Sequence, residues 1–185
     1  KLVEGLERRG LGAQMIGTGQ TAWMQGARYC LIMDSLINDF VAGEIEHAVW
    51  SAWSETSPDV LVIEGQGSLM NPAYPGGFEI LAAGRPDVVV LQHPPARREY
   101  DGFPGYPLHP LARQIQAIEL LSERPVVAIT VNHEDLPREE IPAVCARIQA
   151  ETGLPACDPL VEGVEPALEA ILAHLNRQRG SGHER

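Results

Sequence analysis

Apolar positions in this chain alternate between two spacings. Short unbroken runs of aliphatic residues are separated by longer stretches in which apolar residues recur every three or four positions. The first spacing predicts strands buried on both faces, the second amphipathic helices. Leu2, Val3 and Leu6 share a face opposite Glu4, Glu7, Arg8 and Arg9, predicting a helix from Lys1 to Arg9 that Gly10 stops. Ala13 to Ile16 reads as a short strand, leading into the loop Gly17-Thr18-Gly19-Gln20-Thr21. Asp34-Ser35 is then expected to cap a long helix from Leu36 to Glu55, with Ile37, Val41, Ile45, Ala48 and Ala52 as its core stripe and Trp50 and Trp53 as packing residues. Val60 to Ile63 is a four-residue aliphatic run that ends on Glu64-Gly65-Gln66-Gly67-Ser68-Leu69.

The alternation continues to the end of the chain. A turn-rich loop, Asn71 to Gly77, precedes a short helix ending at Gly84 and a strand from Asp87 to Gln92. A proline- and glycine-rich loop, Glu99 to Pro107, carries Tyr100, Phe103 and Tyr106 and has the length of a lid or binding loop. Leu108 to Ser122 reads as a helix with Leu111, Ile115, Ile118 and Leu121, or Ala112 and Leu120, inward. Pro125 to Val131 is a third apolar strand, followed by a helix to about Thr152, a short strand from Leu154 to Cys157, a closing helix from Glu165 to Arg177 and a polar tail. Strand–helix alternation of this kind predicts an α/β fold built on a mostly parallel sheet with helices on its faces.

Composition narrows the partners. The 185 residues carry 14 basic and 25 acidic side chains, a net charge of −11. Nucleic acid and anionic membrane surfaces both select for a positive footprint, so neither is expected. No apolar run approaches the roughly 20 residues that span a bilayer, and no signal peptide opens the chain. Cys30, Cys145 and Cys157 form no Cys-x-x-Cys pair, which predicts reduced, mostly buried thiols and a cytoplasmic setting. Lys1 is the only lysine, so a phosphate loop of the Gly-x-x-x-x-Gly-Lys-Ser/Thr type does not lie within these residues.

The candidate chemistry gathers where strands end, the edge at which open α/β sheets bind ligands. Glu64 directly follows a wholly apolar strand, where a carboxylate is costly unless used or paired; it is placed to take a substrate proton or hold a metal-bound water, or else to cap a turn. The Thr18 to Thr21 loop offers donors without bulk, suited to a phosphate or ribose or to an ordinary strand-to-helix turn. Asp34 and Asp39 could orient Mg²⁺, or be a cap and a solvated surface acid. His93 could act as acid or base and Arg97 could clamp a carboxylate or phosphate. Asn132 could present its amide to a base or ribose, or close an Asx turn.

Several of these segments occur together in one family. Thr18-Gly19-Gln20-Thr21, Asp34 with Asp39-Phe40-Val41-Ala42-Gly43, Glu64-Gly65-Gln66-Gly67-Ser68-Leu69, Asn71-Pro72-Ala73-Tyr74, His93 with Arg97, Tyr106-Pro107 and Thr130-Val131-Asn132-His133-Glu134 follow one another in this order. The chain thereby resembles, over about residues 1 to 175, the C-terminal domain of the DgcN-like family, long catalogued as a domain of unknown function and named for D-glutamate N-acetyltransferase activity. The resemblance implies a P-loop NTPase-like three-layer sandwich similar to dethiobiotin synthetase, spanning residues 1–178 with a flexible tail at 179–185. It also implies that a smaller Rossmann-like N-terminal domain, the first strand and the phosphate loop precede Lys1.

Three functions follow as expectations. The first is acetyl transfer from acetyl-CoA to the amine of an acidic amino acid, with Glu64 or His93 as base and Arg97 on the substrate carboxylate. In that reading the backbone of Gly65, Gly67 and Ser68 supplies oxyanion donors, and Thr18, Gln20, Thr21 and Asn132 meet the nucleotide portion. The second is an ATP- and Mg²⁺-dependent ligase or kinase, with Asp34, Asp39 and Glu64 near the metal. The third is a non-catalytic nucleotide-sensing or assembly module. A homo-oligomer is expected in each case.

Overall fold

A computed structural model of the chain describes residues 1–181, which form two compact units. The first runs from Leu2 to Pro86 and the second from Asp87 onward, with Lys1. In the first, α1 (Leu2–Arg8) leads to β1 (Ala13–Gly17), α2 (Gln20–Met24), β2 (Tyr29–Cys30), α3 (Asn38–Thr56), β3 (Val60–Ile63) and α4 (Gly77–Gly84). The three strands pair in parallel in the order β2-β1-β3, with Ala13 opposite Val60 and Ile16 opposite Ile63. In the second, β4 (Val89–His93), α5 (Leu111–Ser122), β5 (Val126–Val131), α6 (Ile141–Thr152), β6 (Ala156–Cys157) and α7 (Glu165–Ser181) build a parallel sheet in the order β4-β5-β6. The α/β architecture with helix-flanked parallel sheets is the one expected. Of the tail expected at 179–185, residues 179–181 continue α7, and 182–185 lie outside the described residues.

Burial differs from strand to strand. The central strand β5 is buried along almost its whole length, whereas the terminal strands β3 and β4 are half-buried. The expectation that Val60 to Ile63 is buried on both faces is corrected accordingly: all four residues of β3, which pairs only with β1, are half-buried. The core of the first unit gathers Ile16 and Met33 against Val41, Ile45, Ala48 and Ala52 of α3. Gly17 permits the sharp exit from β1, because a Cβ there would sit 2.6 Å from that of Ala22.

Three other local expectations change. Asp34-Ser35 does not cap the long helix; Met33–Ser35 forms a 3-10 turn, Leu36 and Ile37 are extended, and α3 starts at Asn38 with no side-chain cap. Ile37 therefore lies outside the core stripe and is 71% exposed, while Val41, Ile45, Ala48 and Ala52 hold the stripe as expected. Trp50 and Trp53 are also outside the core, at 59% and 52% exposed, because they fall on the side of α3 turned from that stripe. Their rings pair with centroids 5.3 Å apart and line a surface groove with Gly43 and His47. On α5 only Ile118 is buried, and Leu120 and Leu121 are exposed. The short α2 and β2 were not anticipated, since neither carries a periodic run long enough to register.

The placement of α3 generates a paired prediction. Ile45→Ala, emptying a fully buried site, should lower unfolding free energy by about 2–5 kcal/mol, while Ile37→Ala should change it by less than about 0.5 kcal/mol. Urea denaturation of the two variants measures the contrast; equal losses would place Ile37 back in the core.

Candidate functional site

In the first unit, parallel pairing brings the carboxyl ends of β1 and β3 to one edge, and Glu64 and Thr18 meet there. Glu64 accepts a hydrogen bond from the Thr18 backbone N–H at 2.9 Å through its side chain, and its carbonyl accepts from the Thr18 hydroxyl at 3.2 Å. Thr18 is fully buried, so both of its donors are held by Glu64. The Thr18 carbonyl in turn accepts from Met33 N–H at 3.1 Å, fixing the turn that carries Asp34. Glu64 thus acts as the clasp of the Thr18 to Thr21 loop. Gln20, Thr21, Gly65 and Gly67 are exposed, and Ser68 is half-buried. Gly67 adopts φ 62°, and a Cβ there would lie 2.6 Å from the Tyr74 carbonyl oxygen, so this turn requires glycine.

Asp34 and Asp39 are both exposed. Among the described residues no group of three or more His, Cys, Asp or Glu side chains is arranged to hold a metal ion. The Tyr74 hydroxyl donates to Glu79 at 3.1 Å, and Asn38 donates to the same carboxylate at 3.2 Å. Burial, helped by Glu79, pushes the Tyr74 phenol up to about 12, so this hydroxyl stays protonated and donating at neutral pH.

The second unit repeats the arrangement with different chemistry. His93 closes β4, Asn132-His133-Glu134 follow β5, and Asp158 follows β6, so all stand at the carboxyl edge of one parallel sheet. The Asn132 N–H donates to the His93 carbonyl at 2.9 Å, joining two of the expected site residues through backbone. The Asn132 side chain accepts from Glu134 N–H at 3.1 Å, which is the Asx turn. Arg97 pairs with Glu134 through one guanidinium nitrogen. Asp135, at φ 55°, and a hydrogen bond from Leu136 N–H to the His133 carbonyl bend the chain sharply here. The loops after β4 and β5 line a hollow of about 450 Å³ bordered by Pro95, Arg98, Asp135 and Arg147.

Two residues at this edge were not singled out from the sequence: His133, named only within a family segment, and Asp158. His133 Nδ1 lies 2.5 Å from Asp158 Oδ2. Asp158 is wholly buried, and its other oxygen accepts from Leu160 and Val161 N–H at 2.8 and 3.0 Å. A signal did exist: an acid directly after an apolar strand, the pattern that singled out Glu64. A two-residue strand running into Pro159 obscured it. Burial and the acids Glu162 and Asp158 push the neighbouring Cys145 thiol up to about 12 and Cys157 upward, so both stay protonated at neutral pH.

His93 is half-buried, with Nδ1 enclosed and without a hydrogen-bond partner. Burial holds its imidazole below the ordinary value of 6.5, with Glu151 pulling weakly the other way. Between the lowered folded value and 6.5 the unfolded chain binds more protons, so stability falls as pH drops through that window. His93→Leu should flatten this part of the stability–pH curve relative to wild type, measured by urea denaturation from neutral to mildly acidic pH. An unchanged slope would show that His93 is not protonated on unfolding.

Comparison with known proteins agrees with this architecture. The profile of a family described as "Domain of unknown function (DUF1611_C) P-loop domain" matches residues 1–168. A D-glutamate N-acetyltransferase of Tritonibacter scottomollicae is 31% identical over 176 residues, which is 91% of this chain and 51% of that protein. A D-glutamate N-acetyltransferase of a Pseudoalteromonas species is 33% identical over 150 residues, 77% of this chain and 43% of that protein. The crystal structure of a DUF1611 family protein from Anabaena variabilis superposes with a TM-score of 0.85 at 29% identity, covering 93% of this chain and 51% of that one. The chain spans about half the length of the curated relatives it matches. With helix-flanked parallel sheets and a profile match along nearly its whole length, the chain belongs to the DUF1611 family, in the part described as its P-loop domain.

Proposed function

We propose that the protein containing this chain transfers an acetyl group from acetyl-CoA to the amine of an acidic D-amino acid such as D-glutamate. The observation that carries the reading is the name shared by both curated relatives, one of which aligns with 91% of the chain. The chemistry of the strand-end residues supports it. Arg97 keeps donors beyond the nitrogen that meets Glu134, and a guanidinium fork matches a substrate carboxylate. Thr18 does not fit a direct nucleotide contact, because both of its donors are held by Glu64. Gln20, Thr21, Gly65 and Gly67 are exposed and fit the role, and with Ser68 they are assigned to the nucleotide portion of acetyl-CoA. Acetyl-CoA supplies an activated acyl carbon; the chain's residues bind and orient the two reactants.

The family's description as a P-loop domain supports a second reading, Mg²⁺-ATP-dependent ligation or phosphorylation, in which Asp34 and Asp39 would face the metal. Turnover separates the two. The complete protein incubated with acetyl-CoA and D-glutamate should release free CoA thiol and N-acetyl-D-glutamate. ADP formed from Mg²⁺-ATP without acetyl-CoA would favour the second reading, and neither product would leave a binding or assembly role. Arg97→Met should raise KM for D-glutamate roughly 10- to 100-fold with a smaller effect on kcat, the loss of a charge-assisted contact. An unchanged KM would release Arg97 from substrate binding.

A further inference from the structure

We infer that His133 and Asp158 form the proton-transfer dyad of the second unit, with His133 the catalytic base and Asp158 the residue that positions it. The argument begins with Asp158. A carboxylate with no solvent exposure is tolerated only if its oxygens are fully engaged. Two backbone N–H groups hold Oδ1, so Oδ2 is aimed at a single partner, the His133 Nδ1. A carboxylate at 2.5 Å requires a proton on Nδ1, and in the neutral ring this leaves Nε2 as a lone-pair acceptor. His133 is one-third exposed, and Nε2 meets no hydrogen-bond partner among the described residues. The ring is therefore anchored through Nδ1, and Nε2 is left unengaged by the described residues.

Neither of the bases expected from the sequence has this combination. Glu64 commits one carboxylate oxygen, Oε2, to the Thr18 N–H, and no second side chain orients the group. His93 has an enclosed nitrogen without a partner, and nothing fixes its tautomer. His133 also stands one residue from Glu134, whose carboxylate holds Arg97, so the base and the proposed carboxylate clamp lie on adjoining positions.

Resting on the acetyl-transfer reading above, the step balances as follows. The substrate ammonium loses one proton to solvent. As the amine nitrogen bonds to the thioester carbonyl carbon, its second proton passes to His133 Nε2. The carbon–sulfur bond then breaks, and the imidazolium returns that proton to the departing sulfur, giving the amide and free thiol. Asp158 stabilises the imidazolium without accepting the proton.

The test uses the complete protein. His133→Ala and His133→Gln should each lower kcat by roughly 10²- to 10⁴-fold with KM for D-glutamate nearly unchanged, and added imidazole should partly restore His133→Ala. Asp158→Asn keeps an acceptor for Leu160 and Val161 N–H but presents NH₂ to the ring, which moves the ring proton to Nε2, and should lower kcat about as far as the His133 variants. Independently of turnover, ¹⁵N NMR of the wild type at neutral pH should show His133 protonated on Nδ1. Folded His133 variants that keep wild-type kcat, or a ring protonated on Nε2, would overturn the inference. Failure of the wild type to acetylate D-glutamate would sink the function proposed above, and the tautomer by itself would then uphold or overturn the dyad.

Discussion

Parallel strands all leave their sheet in the same direction, and each must be followed by a crossover before the next can pair. In both units of this chain every named strand is paired that way, so the residue after each strand is delivered to one edge. Thr18 and Glu64 arrive together for this reason in one unit, and His93, Asn132 and Asp158 in the other. None of these meetings depends on closeness in sequence: Thr18 and Glu64 are 46 positions apart, and His133 and Asp158 are 25.

An acid at such an edge must be neutralised or hydrogen-bonded, and the two units do this with different consequences. Glu64 is bound by the backbone of a neighbouring loop, so its charge is used to shape that loop. Asp158 is bound by the backbone that directly follows it and has one oxygen left for an imidazole. The first arrangement makes a structural clasp. The second makes an oriented ring with a free nitrogen, which is the more chemically capable of the two. Glycine serves the same edges by absence: at Gly17 a side chain would collide with Ala22, and at Gly67 with a backbone carbonyl.

The strands and the longer helices were legible because burial leaves a periodic trace along the chain. Val126 to Val131, a central strand, was found almost to the residue, and the stripe Val41, Ile45, Ala48 and Ala52 was read correctly from its spacing. Errors fell where that trace is ambiguous. Asp34-Ser35 has the side chains of an N-cap, yet the helix starts later because the hydrogen bond from Met33 N–H to the Thr18 carbonyl draws that stretch into a 3-10 turn. Trp50 and Trp53 are large and apolar, but helix phase turns them outward, and residue type alone carries no phase.

The sequence by itself determined that strands and helices alternate, that the strands run parallel, and that chemistry would gather after them; hydrophobic spacing and crossover length suffice for each. Tertiary structure alone decided which strand-end residues touch. The partner of His133 is a buried aspartate after a strand of two residues, and the partner of Glu64 is a backbone N–H that no side-chain pattern records. Pairing across a sheet is set by register and backbone hydrogen bonds, and these leave no periodic mark on the chain.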